Sequence, residues 1–261
     1  MGSLAGKSPA NTYKSLLKVA DETNGVSGSA SQIEDGEGTS TCLQISTTVA
    51  HFKPASDVNA ALKVERANGD DLLTVDTNNS LVKVGTSQVS ATTQLLTFNA
   101  YRLVPTGAGT HMFVAFGGAE YGNNVIPEVS NGTGTDPNVN KDAGSTTDDL
   151  LMCLFNVPYN MTIDACKAMV STDQDTDCTI NVHLMSFDMV NDGTTNDGNL
   201  TNGTVLADGQ ATAVDRSVIK SVDMTIQSSS VTSGKIIACC VENETNTDDI
   251  TIQIQVKYHI A

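Results

Sequence analysis

The sequence predicts an all-β protein with an extended N-terminal arm, an intertwined trimeric β-stalk and a C-terminal antiparallel β-sandwich of jelly-roll type. Three observations carry this prediction. Helical periodicity is nearly absent, and the second half of the chain is a series of alternating runs separated by loops rich in Asn, Asp, Gly and Thr. The middle, "LKVERANGDDLLTVDTNNSLVKVG" from Leu62 to Gly85, makes three strand-like runs with only about two apolar residues each on one face. The expected division is residues 1–41 as arm and linker, 42–92 as stalk and 93–261 as head.

The arm holds the one helical pattern. In "TYKSLLKVAD", Tyr13, Leu16, Leu17 and Ala20 fall at i, i+3, i+4, i+7 spacing, and Gly25 and Gly28 end it soon after. Residues 22–41 are rich in Gly, Ser and acid, the composition of a linker or of an arm lying on another surface.

The stalk follows from a shortage of apolar surface. Leu43 and Ile45 make a first thin stripe. Leu62 with Val64, Leu73 with Val75, and Val82 with Val84 make three more, divided by Asn68-Gly69 and Asn78-Asn79, which favour tight turns. Two apolar residues per strand bury too little to offset the entropy of ordering the segment. Three copies wound about a narrow axis would bring the stripes together and cover the strand edges. The alternative is that this region packs on the sandwich of its own chain.

The head predicts about eight strands. They lie in "TFNAYRLV", "HMFVAFGG", "LLMCLFNV", "MTIDACKAMVS", "CTINVHLMSF", "SVIKSVDMTIQ", "KIIACCVE" and "DITIQIQVKYHI". In the last, Ile250, Ile252, Ile254, Val256 and Tyr258 face one way and Thr251, Gln253, Gln255 and Lys257 the other, an antiparallel strand with one wet face. Residues 117–149 and 190–217 read as long loops, either solvated decoration or contacts for a partner or ligand.

Charge limits the partners. Fourteen Lys and Arg against thirty Asp and Glu give a net charge of −16, which argues against nucleic acid as a direct partner. No segment approaches the roughly 18–20 consecutive apolar residues of a membrane helix, and the N-terminus shows no signal-peptide core, so no membrane partner and synthesis in a cytosol are expected. The sequons at Asn131, Asn160, Asn202 and Asn243 are accordingly read as ordinary turn and strand residues.

The arm and stalk also resemble a known family. "SLAGKSPANTYKSLLKV", then "IEDGEGTSTCLQIS", then "LKVERANGDDLLTVDTNNSLVKVG" are similar to the N-terminal arm and stalk of trimeric fibre or head-decoration proteins of tailed bacteriophages, particularly those of marine bacteria, over roughly residues 3–92. The resemblance implies a homotrimer on the virion surface, made in the bacterial cytoplasm, with the arm docked on a phage capsid or tail protein. By position it makes Tyr13, Leu16, Leu17 and Val19 the docking residues; the alternative is a hydrophobic plug beneath the protein's own stalk. A stalk of about 50 residues spans little beyond ~100 Å, which favours a head fibre or capsid decoration over a tail fibre.

No chemistry is expected. His51, His111, His183 and His259 sit in unrelated contexts without a nucleophile motif, and the six cysteines show neither CxxC nor Cys/His spacing, so catalytic residues, metals and cofactors are all read as none. The cysteines are expected to be buried or half-buried free thiols, with Cys239 and Cys240 on opposite faces of a strand. "TDQDTDC" places Asp173, Asp175 and Asp177 like the opening of a calcium loop, but Cys178 stands where Gly is needed, which leaves an acidic hairpin turn. The alternative function is a tail-fibre or receptor-binding module whose head loops take a host-cell surface glycan.

Overall fold

A computed structural model describes residues 16–21, 23–87, 89–117, 128–144 and 147–261. The chain divides into two compact units, Met1–Ala91 and Thr92–Ala261.

The first unit holds two four-stranded antiparallel meanders. One runs β1 (Lys18–Val19), β2 (Ser31–Glu34), β3 (Ser40–Ile45) and β4 (Ala50–Phe52). The other runs β5 (Leu62–Glu65), β6 (Asp71–Asp76), β7 (Leu81–Val84) and β8 (Val89–Ser90). Two expectations fail here. In the described part of the "TYKSLLKVAD" pattern, Lys18–Val19 form β1 rather than a helical turn, because their backbone bonds run across to β2, with the Ala20 amide donating to the Gln32 carbonyl at 2.8 Å; residues 12–15 lie outside the described residues. Tyr13 lies outside the described residues.

Residues 22–41 are not simply a linker, since they contain β2 and the start of β3, and the arm–stalk boundary at residue 41/42 falls inside that strand. Polar side chains supply what hydrophobic patterning does not. The Asp35 carboxylate accepts from the Glu37 and Thr39 amides in the turn, and Gln32 Nε2 donates to the Thr41 carbonyl across it. In the second sheet, Gly69 takes the left-handed conformation its turn requires (φ 90°), whereas in the Asp76–Leu81 turn the positive φ falls on Ser80 rather than on Asn78 or Asn79.

The second unit is one antiparallel sheet rolled until it nearly closes. Its strands are β9 (Thr93–Leu103), β10 (Met112–Val114), β11 (Phe155–Asn156), β12 (Met161–Thr172), β13 (Cys178–Met189), β14 (Leu200–Val214), β15 (Lys220–Ile226), β16 (Ser230–Val231), β17 (Ile236–Asn243) and β18 (Ile250–Ile260). The main order is β10-β17-β13-β14-β15-β12-β18-β9, with β11 on β17 and β16 on β12. Two thin seams interrupt the roll. β14 and β15 share only the pairs Ala207 with Ile226 and Asp208 with Thr225. β9 meets the chain just past β10 through Asn99 N to Ala115 O at 2.9 Å and Gly117 N to Thr97 O at 3.0 Å.

Alternation explains the interior. Ile250, Ile252, Ile254, Val256 and Tyr258 all point inward and are buried, alongside Phe98, Leu103, Ile180, Val182, Leu184 and Val241. A second core lies on the other side of the β10-β17-β13 sheet. There Phe113, Met185, Phe187, Ala238 and Cys240 are covered by Val129, Ala143, Leu150 and Cys153. The described part of the long segment 117–149 is therefore more than solvated decoration, because Val129 and Ala143 help roof a hydrophobic layer of its own domain.

Two further expectations change. "LLMCLFNV" is not a long strand. Its start belongs to a one-turn helix, α1 (Thr147–Leu151), whose first-turn Asp148 and Asp149 complement the helix N-terminus, and only Phe155–Asn156 is extended. Residues 190–217 are not a loop, since they contain the 15-residue strand β14. The glycines that read as loop signals there serve close approach. A Cβ on Gly203 would stand 2.9 Å from the Val139 carbonyl oxygen, and one on Gly209 would stand 2.5 Å from Val222 Cγ1. Cys239 faces the inner core and Cys240 the outer one, as strand alternation requires, while Cys42 is exposed rather than buried.

Candidate functional site

The β5–β8 sheet has one apolar face and one polar face, and the apolar one is uncovered. Register places Leu62, Val75 and Val82 in one row across the strands and Val64, Leu73, Val84 and Val89 in the next. Val64 is 46% exposed, Val82 42% and Val84 43%, so nearly half of each side chain meets solvent in the single chain. Among the described residues no apolar side chain of the first unit is buried, and the first that is buried is Leu96, in the second unit.

The reverse face is where the unit hides its residues, and they are polar. Thr74 and Asp76 are the only two described residues of the first unit that are buried. Asp76 accepts from Lys83 Nζ at 2.7 Å and from Asn79 N and Nδ2, each at 2.9 Å. The Lys83 hydrogen bond, followed by those from Asn79, holds this carboxyl down at about 2. Lys63 pairs with Asp71 and Glu65, both at 2.8 Å, and the Asp71 contact first, then Glu65, raises the lysine above its ordinary range. The charged groups of that face, Lys63, Glu65, Asp71, Asp76 and Lys83, are thus paired within the chain, whereas the opposite, hydrophobic face stays partly open to solvent.

The residues expected to form the stalk core are brought together in part. Leu62, Val64, Leu73, Val75, Val82 and Val84 share one face of one sheet, joined by Val89, which the sequence reading omitted. Leu43 and Ile45 lie on the other sheet of the unit, opposite Phe52 and Ala50, and Phe52 is half exposed. Of the expected docking residues, Leu16 and Leu17 are exposed at 50% and 71%, whereas Val19 lies in β1 opposite Ile33. Tyr13 is outside the described residues.

The head carries a polar patch that sequence reasoning did not assemble. His111, at the mouth of β10, and His183, in β13, are both buried and meet in a T-shaped contact with ring centroids 5.0 Å apart. His111 Nδ1 lies 3.4 Å from Glu242 Oε2, and His183 Nδ1 lies 3.9 Å from Asp136 Oδ1. Neither ring nitrogen of His183 has a hydrogen-bond partner. Burial, then the neighbouring His111, pushes His183 down to about 4, and burial likewise lowers His111 against the opposing pull of Glu242. Beside His183 is a concavity of about 420 Å³ lined also by Asp136, Asn181, Asp208, Gln210 and Glu244. The two histidines are 72 positions apart, and only the pairing of β10 and β13 to the same strand, β17, signals their proximity.

The acidic hairpin is engaged within its own chain. Asp173 and Asp249 both contact the Arg102 guanidinium, and Asp175 pairs with Arg216. Among the described residues no three of His, Cys, Asp or Glu come together as a metal-binding set. No protein-family model matches the chain, and no curated protein matches it either.

Proposed function

We propose that the protein is a structural component of a bacteriophage virion, a homotrimeric head fibre or capsid decoration whose arm docks on the particle and whose β-rich head projects outward. The observation that carries the assembly part is the inverted burial of the first unit, with buried Thr74 and Asp76 on one face and nearly half-exposed Val64, Val82 and Val84 on the other. A sheet that pairs its charges internally, leaves Val64, Val82 and Val84 exposed and only half buries Leu62, Leu73, Val75 and Val89 needs a hydrophobic partner. Sister copies supply one of matching chemistry, and a threefold axis is narrow enough for Val and Leu to fill. Covering the exposed half of each side chain contributes about 1 kcal/mol. The phage assignment rests on the resemblance of the arm and stalk phrases, and Leu16 and Leu17 remain the exposed apolar residues that docking would use.

The head supports the same reading. Taken in chain order, the eight principal strands β9, β10, β12, β13, β14, β15, β17 and β18 fall into two groups at the thin seams, β10-β17-β13-β14 and β15-β12-β18-β9. We read that order as two Greek keys folded as a jelly roll, an architecture used by viral capsid and lectin domains.

The native mass of the full chain tests the assembly. The expected value is three times the 27.3 kDa chain at micromolar concentration, and Val82→Glu with Val84→Glu should reduce it to the single chain. A wild-type monomer would overturn the trimer. Location is tested separately by antibody labelling of gradient-purified phage particles, and its absence from them would overturn the virion assignment. A second reading, host recognition through a surface glycan, is favoured by the polar concavity beside His183. It predicts saturable binding of the protein to host cells.

A further inference from the structure

Along the outer face of the β10-β17-β13-β14 sheet the surface changes from apolar to acidic. The lower part is roofed by Val129, Ala143, Leu150 and Cys153 over Phe113, Met185 and Phe187. Where that roof ends at Asp136, the sheet continues uncovered and presents Asn181, His183, Asp208, Gln210 and Glu244 to the concavity. Its size, about 420 Å³, is within the range of small-molecule sites, roughly 300–1,000 Å³.

The charged groups of the lining are all of one sign, beside the Thr135 and Thr225 hydroxyls and the Asn181 and Gln210 amides. Asn181 Nδ2 donates to Glu242 at 2.6 Å and Gln210 Nε2 to Asn181 Oδ1 at 2.8 Å, so one N–H of each amide is already engaged. Asp208 takes one donor, Gln227 Nε2 at 3.0 Å, and keeps further lone pairs. Asp136, Asp208 and Glu244 supply carboxylate oxygens, and no Lys or Arg lines the space. At its base sits His183, only 5% exposed, with both ring nitrogens unpartnered. A buried polar group left unsatisfied is costly, and one that borders an open concavity points to an occupant.

We propose that this concavity binds a primary ammonium group carried on a small hydrophilic frame, with the Asp136, Asp208 and Glu244 carboxylates supplying charge and the His183 ring nitrogen accepting one N–H. An ammonium has three donors and no acceptor, the complement of this lining, and its charge opposes the acids that no cation of the chain neutralises there. An anion or a carboxylated sugar is disfavoured by the same acids. Burial keeps His183 neutral at pH 7, so its lone pair is available. The proposal names a ligand chemistry for the host-recognition reading, yet it concerns the second unit alone and holds whether or not the chain trimerises.

Two sources share this chemistry, an amino sugar of a surface polysaccharide and a free polyamine. Calorimetric titration of the full-length protein with glucosamine and with putrescine separates them, with N-acetylglucosamine as the neutral twin of the first. Saturation by glucosamine, at most about millimolar Kd in low salt and at least ~10-fold weaker near 1 M salt, is the expected result for a sugar source. Saturation by putrescine alone assigns the site to polyamines. Asp136→Asn with Glu244→Gln, both exposed and outside the cores, should weaken binding at least ~10-fold, and the His183 imidazole resonances should shift on ligand addition in the wild type only. Equal binding of N-acetylglucosamine, an unaffected double variant, or no saturable binding of either amine overturns the proposal. Cell binding that persists without amine binding would overturn it while leaving host recognition standing.

Discussion

Acidification from pH 7 to pH 5 should loosen the head because of His183. Its folded value of about 4 lies below the ordinary 6.5, so the unfolded chain takes up a proton in this window that the folded chain refuses. Stability is therefore complete above about pH 6.5 and drains away as the pH falls towards 4. Burial is the main cause and the neighbouring His111 ring adds to it, while Asp136 and Asp208 oppose both. Glu242 and Asp136 act in the same opposing sense on His111, whose value is also lowered. Applying the two values for His183 at pH 5 gives a loss of about 2 kcal/mol relative to pH 7.

Hydrogen–deuterium exchange of the β13 and β17 amides, corrected for the intrinsic pH dependence, reads this directly. Protection should fall by roughly 30-fold between pH 7 and pH 5. His183→Leu, which removes the titrating group and fills similar space, should lose most of that dependence. A wild-type protection factor that does not change, or a variant that keeps the full slope, would refute the assignment of the acid sensitivity to this pair.

Other outcomes follow from single contacts. Gly203→Ala drives a methyl against the Val139 backbone and Phe187, and should destabilise the head by about 1–3 kcal/mol in urea unfolding, with the 138–140 segment losing protection. Leu150→Ala takes the largest side chain from the roof of the outer core and should cost about 2–5 kcal/mol. Native maleimide labelling followed by mass spectrometry should modify Cys42 and spare the other five cysteines. Those five are buried, and burial pushes the Cys166 and Cys240 thiols up to about 12, so they present little thiolate.

What was legible in the sequence was whatever depends on one strand at a time. The inward set from Ile250 to Tyr258 and the shared face of Leu62, Val64, Leu73, Val75, Val82 and Val84 follow from a period of two, and the structure places them so. What was not legible depends on distant segments meeting. β14 looked like a loop because Gly203 and Gly209 are loop residues locally, and only Val139, Phe187 and Val222 explain why those positions must lack a side chain. "LLMCLFNV" has the composition of a strand, yet Leu150 joins the outer core from outside the sheet, and a helical turn delivers it there. The His111–His183 contact and the acid-lined concavity arise from the lateral order of β10, β17, β13 and β14, which no local pattern encodes. At the end of the arm's helical pattern, Lys18–Val19 are extended because β2 offers their backbone its bonds.

The first and last strands of the head are neighbours whose outer ends coincide, with Thr93 opposite His259 and Thr92 Oγ1 donating to the Ile260 carbonyl. At the other end of the same pair, Leu103 sits opposite Ile250, and the 173–177 and 244–249 turns crowd there. A peptide appended after Ala261 would therefore emerge at the pole where the polypeptide arrives. One spliced between Asp175 and Thr176 would be carried at the antipode, which makes that turn the better position for presenting a foreign epitope.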